Sequence, residues 1–195
     1  DYGVGNLFSI KCSFERAGLS VDVCSETKRL RDADALIIPG VGNFKAVAEN
    51  IEKIKVDLMD LIREGKPVLG ICLGMQLLFE GSDESPDVRG LNLLEGRIVR
   101  LPGNVKIPHM GWNTLKIVRS TVLLDGISEE DYFYFVHSYY VAPRRKNIVM
   151  AETEYGVRFA SVVMQNNIFG VQFHPEKSGK PGERIIGNFA NLIRR

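Results

Sequence analysis

Cysteine, histidine and tryptophan are scarce in this chain, with three, three and one among 195 residues, so the surroundings of each are informative. Cys72 has the most telling ones. It lies in Val68-Leu69-Gly70-Ile71-Cys72-Leu73-Gly74-Met75-Gln76, where an apolar run of strand length passes without a spacer into apolar residues of helical period. G-x-C-x-G at such a junction is the thiol form of the sharp strand-to-helix turn that holds a nucleophile above the end of a parallel sheet. Glycine on both sides has a steric reason, because the turn is strained and the helix must pass close over the strand. Cys72 is therefore expected to project outward. The first amides of the following helix lack intrahelical acceptors, so they and the helix dipole favour an anionic sulfur, and the N–H of Leu73 is aimed at the atom that Cys72 would attack. A buried structural cysteine between two packing glycines fits the same five residues equally well.

A second group stands after another apolar run, in Gln172-Phe173-His174-Pro175-Glu176-Lys177-Ser178. Residues i and i+2 of an extended segment share a side, so His174 and Glu176 are expected to project together, with Pro175 stiffening the backbone between them. A carboxylate beside an imidazole fixes its tautomer and stabilises the imidazolium. If the strand ending at His174 neighbours the strand ending at Cys72, then thiol, imidazole and carboxylate meet at one rim of a sheet, which suits nucleophilic acyl transfer. For His174 taken by itself, a strand-end histidine capping a turn is the alternative.

The elements that must position these groups show as alternation along the chain. A helix over 7–17 is closed by Gly18, a strand is expected over 19–24, a polar crossing or short helix over 26–33, and a buried strand over 35–38 stopped by Pro39. A helix from about 45 to 63 ends near Gly65, and Lys66-Pro67 leads into the strand before Cys72. Strands alternating with helices predict βαβ units and a mostly parallel central sheet flanked by helices on both faces. Residues 81–90, rich in Ser, Asp, Glu, Pro and Gly, read as an exposed connection. Beyond them, 98–101, 115–118, 132–140, 148–153, 158–164 and 168–173 are β-branched and aromatic, so antiparallel strands are expected in the second half. A helix over 181–195 closes the chain. One α/β domain over 1–195 is the expectation. The chain opens in the glycine-spaced loop Asp1-Tyr2-Gly3-Val4-Gly5-Asn6, and an apolar strand ahead of that loop is expected to be missing from it.

Composition narrows the function classes. Lys and Arg number 25 against 24 acidic residues, a net charge of +1, which gives no electrostatic case for nucleic acid. Odd cysteines without a C-x-x-C pair suit a reducing, cytoplasmic setting. No apolar run reaches the ~18 residues of a membrane span. No His/Cys/Asp/Glu set has zinc spacing, so neither a metal nor another cofactor is expected.

Together these motifs resemble the class I (triad) glutamine amidotransferases: Cys72 in Gly-Ile-Cys-Leu-Gly-Met-Gln, the element His174-Pro175-Glu176, and Pro39-Gly40-Val41-Gly42 as an oxyanion loop. Five blocks in order are similar, more particularly, to the glutaminase subunits of imidazole glycerol phosphate synthases of histidine biosynthesis. They are Asp1 to Asn6, Pro39-Gly40-Val41-Gly42-Asn43-Phe44, Pro108-His109-Met110-Gly111-Trp112-Asn113, Tyr134-Phe135-Val136-His137-Ser138-Tyr139 and Gln172 to Ser178. The resemblance implies a flavodoxin-like α/β fold, Cys72 as nucleophile toward the carboxamide of L-glutamine, His174 as base and then acid, and Glu176 orienting the imidazole. It implies oxyanion donors at Val41, Gly42 and Leu73, and contacts to the amino-acid end of glutamine from Gln76 and the backbone around Ser138 and Tyr139. It also implies a heterodimer with a (β/α)8 barrel cyclase, which takes the ammonia and makes imidazole glycerol phosphate and aminoimidazole carboxamide ribonucleotide. Pro108, His109, Met110, Trp112 and Lys177 match family positions facing the barrel, and low activity without that partner is expected. For Trp112 a core position is the alternative, and His109 and His137 suit structural or interface roles better than catalysis. Rival readings are a cysteine hydrolase resembling the DJ-1/PfpI proteins, which lack a His-Pro-Glu about a hundred residues downstream, and a non-catalytic module of the same fold. A glutaminase subunit serving pyridoxal phosphate synthesis is a closer rival, and the Pro108 to Asn113 block weighs against it.

Overall fold

The computed structural model describes residues 7–24, 27–40 and 42–194. The opening loop and Val41 therefore lie outside the described residues. Helix α1 (Leu7–Arg16) forms as its spacing predicts and ends where Gly18 takes φ 81°, a left-handed value that suits glycine. The strand expected over 19–24 is not formed, since among the described residues nothing supplies it with a ladder partner. After α2 (Thr27–Arg31) comes β1 (Leu36–Ile38), and the single helix expected over about 45–63 is two. Helix α3 (Phe44–Glu52) is capped by the Asn43 side chain, which accepts from the Ala46 N–H at 2.9 Å. Helix α4 (Lys55–Arg63) starts afresh after Ile54, whose φ −115° and ψ 3° leave the helical region. The break lets the two helices face different neighbours: α3, with Phe44, Val47 and Ile51 buried, packs against the 73–77 helix and the 85–89 strand, and α4 packs against α2.

Strand β2 (Val68–Ile71) runs into Cys72 and then α5 (Leu73–Leu77). Residues 81–90 are not the bare connection expected of them. They form a hairpin of β3 (Gly81–Ser82) and β4 (Ser85–Arg89), whose Glu84 carboxylate accepts the Phe44 N–H at 2.9 Å, so the polar residues serve backbone groups. There follow β5 (Gly96–Arg100), β6 (His109–Thr114), β7 (Lys116–Ile117), β8 (Tyr132–His137), β9 (Tyr139–Pro143), β10 (Val149–Glu154), β11 (Arg158–Gln165), β12 (Ile168–Val171) and α6 (Gly179–Ile193). The run expected as one strand over 132–140 is split at Ser138, which sends β8 and β9 to different sheets.

The central sheet has the order β1-β2-β12-β11-β10-β7, with β1, β2 and β12 parallel and the later strands antiparallel. On one face Val47 of α3, Leu61 of α4 and Leu77 of α5 share a core with Val68 and Val163 of the sheet. The other carries Phe133, Phe159 and Phe173 with Phe14 of α1 and Phe189 of α6, whose rings meet edge to face at 6.4 Å. Strands β4-β3-β5-β9 and β6-β8 make two smaller sheets. A cavity of about 430 Å³ beside β1, which ends the sheet among the described residues, is lined by Val21, Ile37 and Phe189 among others and includes none of Cys72, His174 and Glu176. No helix among the described residues is long and apolar enough to cross a membrane.

Candidate active site

The site begins with a chain crossing that the sheet order makes possible. Strand β12 lies beside β2 in parallel register, Gly170 opposite Gly70 and Val171 opposite Ile71, so both strands end at one rim. Just past that rim Cys72 takes φ 53° and ψ −110°, a conformation an L residue holds only when its surroundings enforce it. Two ties do so: the Cys72 N–H donates to the Val171 carbonyl at 2.8 Å, and the Cys72 carbonyl accepts from the Gln76 N–H at 3.2 Å. The flanking glycines are required by space. A Cβ on Gly70 would stand 2.7 Å from Met75 Cα, and one on Gly74 would overlap the Ile38 carbonyl of β1. Cys72 does not project freely as expected. It is 6% exposed, because β8 passes over it: the thiol donates to the Val136 carbonyl at 3.9 Å, while the Gln172 side-chain amide donates to Sγ at 3.6 Å.

His174 stands at the end of the neighbouring strand, and its backbone is pinned from two sides. Its N–H donates to the Tyr134 carbonyl at 2.9 Å, and its carbonyl accepts from the Ser178 hydroxyl at 2.6 Å, whose oxygen in turn accepts the Tyr134 N–H at 3.0 Å. His174 and Glu176 do face each other, by a different route from the extended one expected. His174 is extended, but Pro175–Lys177 is a 3-10 turn that folds the carboxylate back onto the ring. His174 Nδ1–H donates to Glu176 Oε1 at 2.8 Å, with both side chains almost wholly buried. A carboxylate only accepts, so this bond fixes the tautomer and leaves Nε2 for other work. Nε2 is buried and has no hydrogen-bond partner among the described residues.

Burial opposes a charge on this ring. The interactions with Cys72 and Glu176 outweigh it and raise the pKa to about 9, so the ring is a ready acceptor for the sulfur's proton. Cys72 and Glu176 both raise that pKa through hydrogen bonding and charge, although the thiol is turned onto the Val136 carbonyl in this structure.

The remaining expected residues fall into three groups. Leu73 opens α5 directly after Cys72, and Gly42 has φ 104°, a glycine-favouring backbone in the loop above it. Gln76 is buried, and its amide hydrogens are taken by the Tyr139 carbonyl at 2.9 Å and Gln172 Oε1 at 3.2 Å, leaving its own Oε1 without a donor among the described residues. The Ser138 carbonyl accepts from the Leu101 N–H at 3.0 Å, so the 138–139 backbone is held from two sides. On β6, Met110 and Trp112 are 62% and 56% exposed, next to exposed Tyr132 on β8. Trp112 meets Tyr134 edge to face at 5.8 Å, and Lys177 Nζ lies 5.9 Å from the same ring. Pro108 precedes this strand.

His109 departs from the expected outer face. Alternation along β6 turns it inward, where it is 3% exposed and stacked between Phe135 and Tyr155 at 4.9 and 4.0 Å. It pairs with His137, Nδ1 to Nε2, at 3.0 Å. Burial lowers the pKa of His109 to about 4 and that of His137 to about 3, so both are neutral.

Sequence reasoning missed Gln172, Ser178 and the carbonyls of Tyr134 and Val136. Gln172 had a signal, a polar side chain inside an apolar run beside His174, whereas the carbonyls belong to any residue and had none. Among the described residues no group of three or more His, Cys, Asp or Glu side chains is placed to hold a metal ion. The chemistry on hand is that of a thiol on a strained turn beside an imidazole with a fixed tautomer, which suits acyl transfer through a thioester.

A family profile described as "Glutamine amidotransferase class-I" matches residues 1–192. Curated proteins named "Imidazole glycerol phosphate synthase subunit HisH" align over nearly their whole length. The one from Methanothermobacter thermautotrophicus is 48% identical over 100% of this chain and 97% of its own, and that from Archaeoglobus fulgidus is 47% identical over 100% and 98%. Among solved structures, one titled "Crystal structure of glutamine amidotransferase" superposes with TM-score 0.79 at 20% identity over 98% of this chain and 96% of its own. A chain of PurLQS from Thermotoga maritima superposes with TM-score 0.72 at 18% identity, over 97% and 94%. These two likenesses concern the fold.

Proposed function

The chain belongs to the class I glutamine amidotransferase family, and on that premise we propose that it is the glutaminase subunit of an imidazole glycerol phosphate synthase, releasing ammonia from L-glutamine for a partner subunit. The observation that carries the reading is the convergence of Cys72 and the buried His174–Glu176 pair at the ends of adjacent parallel strands.

The steps follow from that geometry. The Cys72 thiol turns from the Val136 carbonyl and gives its proton to Nε2 of His174, and the resulting thiolate attacks the carboxamide carbon of glutamine. The carbon–nitrogen bond breaks as the proton on Nε2 passes to the departing nitrogen, giving ammonia and a Cys72 thioester. His174, now neutral, takes a proton from water, whose oxygen attacks the thioester. The carbon–sulfur bond breaks, glutamate leaves, and the thiolate–imidazolium pair is restored. Glu176 keeps Nδ1 protonated throughout and stabilises the charged ring. The Leu73 amide and the loop at Val41 and Gly42 receive the oxyanion. Gln76 Oε1 and the backbone at Ser138 and Tyr139 hold the amino-acid end.

Ammonia released into neutral water is protonated and loses its nucleophilicity, so its consumer must be attached. That consumer is a (β/α)8 barrel cyclase seated on the face made by Pro108, Met110, Trp112 and Lys177. It uses the ammonia on a phosphoribulosyl formimino ribonucleotide to give imidazole glycerol phosphate and aminoimidazole carboxamide ribonucleotide. The test mixes the chain with that cyclase and its nucleotide and follows glutamate release. Turnover that Cys72→Ala abolishes supports the reading, and an equal rate from Cys72→Ala refutes it.

A further inference from the structure

The resting site is covered, and what covers it is tied to the outer face by strand pairing. β8 lies across Cys72 and His174: its Val136 carbonyl accepts the thiol and its Tyr134 carbonyl accepts the His174 N–H. β8 is in turn the ladder partner of β6, residue for residue, with Trp112 opposite Tyr134, Met110 opposite Val136 and His109 opposite His137. The outward side chains of β6 are Met110 and Trp112. Its inward ones are His109 and Asn113, and His109 is linked toward the site by hydrogen bonds as well as by its stack on Phe135.

The direction of every bond in that chain is fixed from its far end. The Tyr139 carbonyl can only accept, so His137 Nδ1 carries its proton and donates to it at 2.9 Å. His137 Nε2 is then an acceptor, and His109 Nδ1–H donates to it at 3.0 Å. His109 Nε2, left without a proton, accepts from the Asn113 amide at 3.4 Å. The depressed pKa values of both rings agree with this neutral assignment. The same Tyr139 carbonyl accepts from Gln76, Gln76 also donates to Gln172, and Gln172 donates to the Cys72 sulfur. An unbroken series of hydrogen bonds therefore joins the inward face of β6 to the nucleophile through the backbone ledge at 138–139.

We propose that His109 and His137 are positioning residues: they transmit a displacement of β6, pressed from its Met110 and Trp112 side, to the 138–139 ledge and Gln76, and so couple partner docking to glutamine turnover. The coupling presupposes that the chain is a glutaminase. β6 has one ladder partner among the described residues, with Gly111 at φ 139° in its middle, and its Asn113–Thr114 end is tied to Thr153 and Glu154, so a load on Met110 and Trp112 falls on the β8 ladder and on the inward hydrogen bonds. The neutral rings carry that load inward because each has one donor and one acceptor already committed.

Two substitutions at His109 separate positioning from packing. His109→Phe keeps an aromatic ring between Phe135 and Tyr155 but has no N–H for His137. His109→Asn gives up the stack but keeps an amide N–H near the place of Nδ1. The measurement is the ratio of glutamate release with the cyclase and its formimino ribonucleotide to release without them, with the KM for glutamine and the Tm of each variant alongside. The expected result is that His109→Phe lowers that ratio about tenfold and raises KM, while His109→Asn retains most of the ratio despite a lower Tm. A wild-type ratio in His109→Phe overturns the proposal, and so does a loss in His109→Asn equal to that in His109→Phe. Absence of glutamine hydrolysis by the wild-type complex would instead refute the glutaminase reading, which keeps the two failures apart.

Discussion

Replacing Glu176 by Gln removes one charge from a sealed pair without changing its shape, and the consequence is worked from the ring it faces. The His174 pKa stands at about 9 against an ordinary 6.5, an excess of about 2.5 pH units or roughly 3 kcal/mol in favour of the charged ring, shared between the interactions with Cys72 and Glu176 and net of burial, which works against it. Opposite charge at this distance raises a histidine pKa by about one to three pH units. In Glu176→Gln the alkaline limb of kcat, set by loss of the imidazolium that protonates the departing nitrogen, therefore moves from near pH 9 to lower pH by about one unit or more. The turnover maximum falls by about 10² to 10⁴-fold, because the ring also loses the acceptor that fixes its tautomer. Stability carries the same signature. A folded pKa above the unfolded one stabilises fully below pH 6.5 and loses that contribution as pH rises through about 9, so urea midpoints of the wild type decline over this window and those of Glu176→Gln decline less. Glutamate release from pH 6 to 10, with the cyclase present, is the assay. An alkaline limb unmoved in the variant would refute the pairing argument.

Three further outcomes follow from other parts of the structure. Gly74→Ala drives a Cβ into the Ile38 carbonyl, an overpacking expected to cost about 3 kcal/mol and to lower Tm by roughly 6–12 °C; a calorimetric Tm within a degree of wild type would contradict the close passage of α5 over β1. His109 and His137 are held below their unfolded pKa, so the unfolded chain takes up protons first and stability present above pH 6.5 is lost as pH falls toward about 4. A urea midpoint clearly lower at pH 5 than at pH 7 is expected, and equal midpoints would count against the buried neutral pair. Trp112→Ala strips the exposed ring that stands on Tyr134, and calorimetric titration with the cyclase should show Kd raised by about 30-fold or more, as for an interface anchor; an unchanged Kd would remove this face from the interface.

The nucleophile turn is legible because its geometry is written in residue types: only glycine fits at 70 and 74, and the change from apolar run to helical period marks the junction. His174 and Glu176 are legible as neighbours, though through a turn that an extended reading does not foresee. The insertion of β12 beside β2 enters the sequence reading only as a condition, since strand order depends on which apolar faces bury together and no local pattern encodes it. β6 escapes notice because His-Met-Gly-Trp-Asn-Thr has a glycine in its middle and neither a β-branched run nor clean alternation. For the same reason the motif places His109 on the outer face with its neighbours, when one step of strand alternation turns it inward. The break at Ile54 and the hairpin within 81–90 are tertiary outcomes: each segment adopts what its neighbours pack against.

The most direct test of the Cys72-centred chemistry is intact-mass spectrometry of the chain, with its cyclase, exposed to a glutamine-shaped electrophile. A single adduct is expected, located on Cys72, slowed by excess L-glutamine and absent from Cys72→Ala. Labelling spread over Cys12 and Cys24, or an adduct on Cys72 that glutamine does not slow, would contradict it.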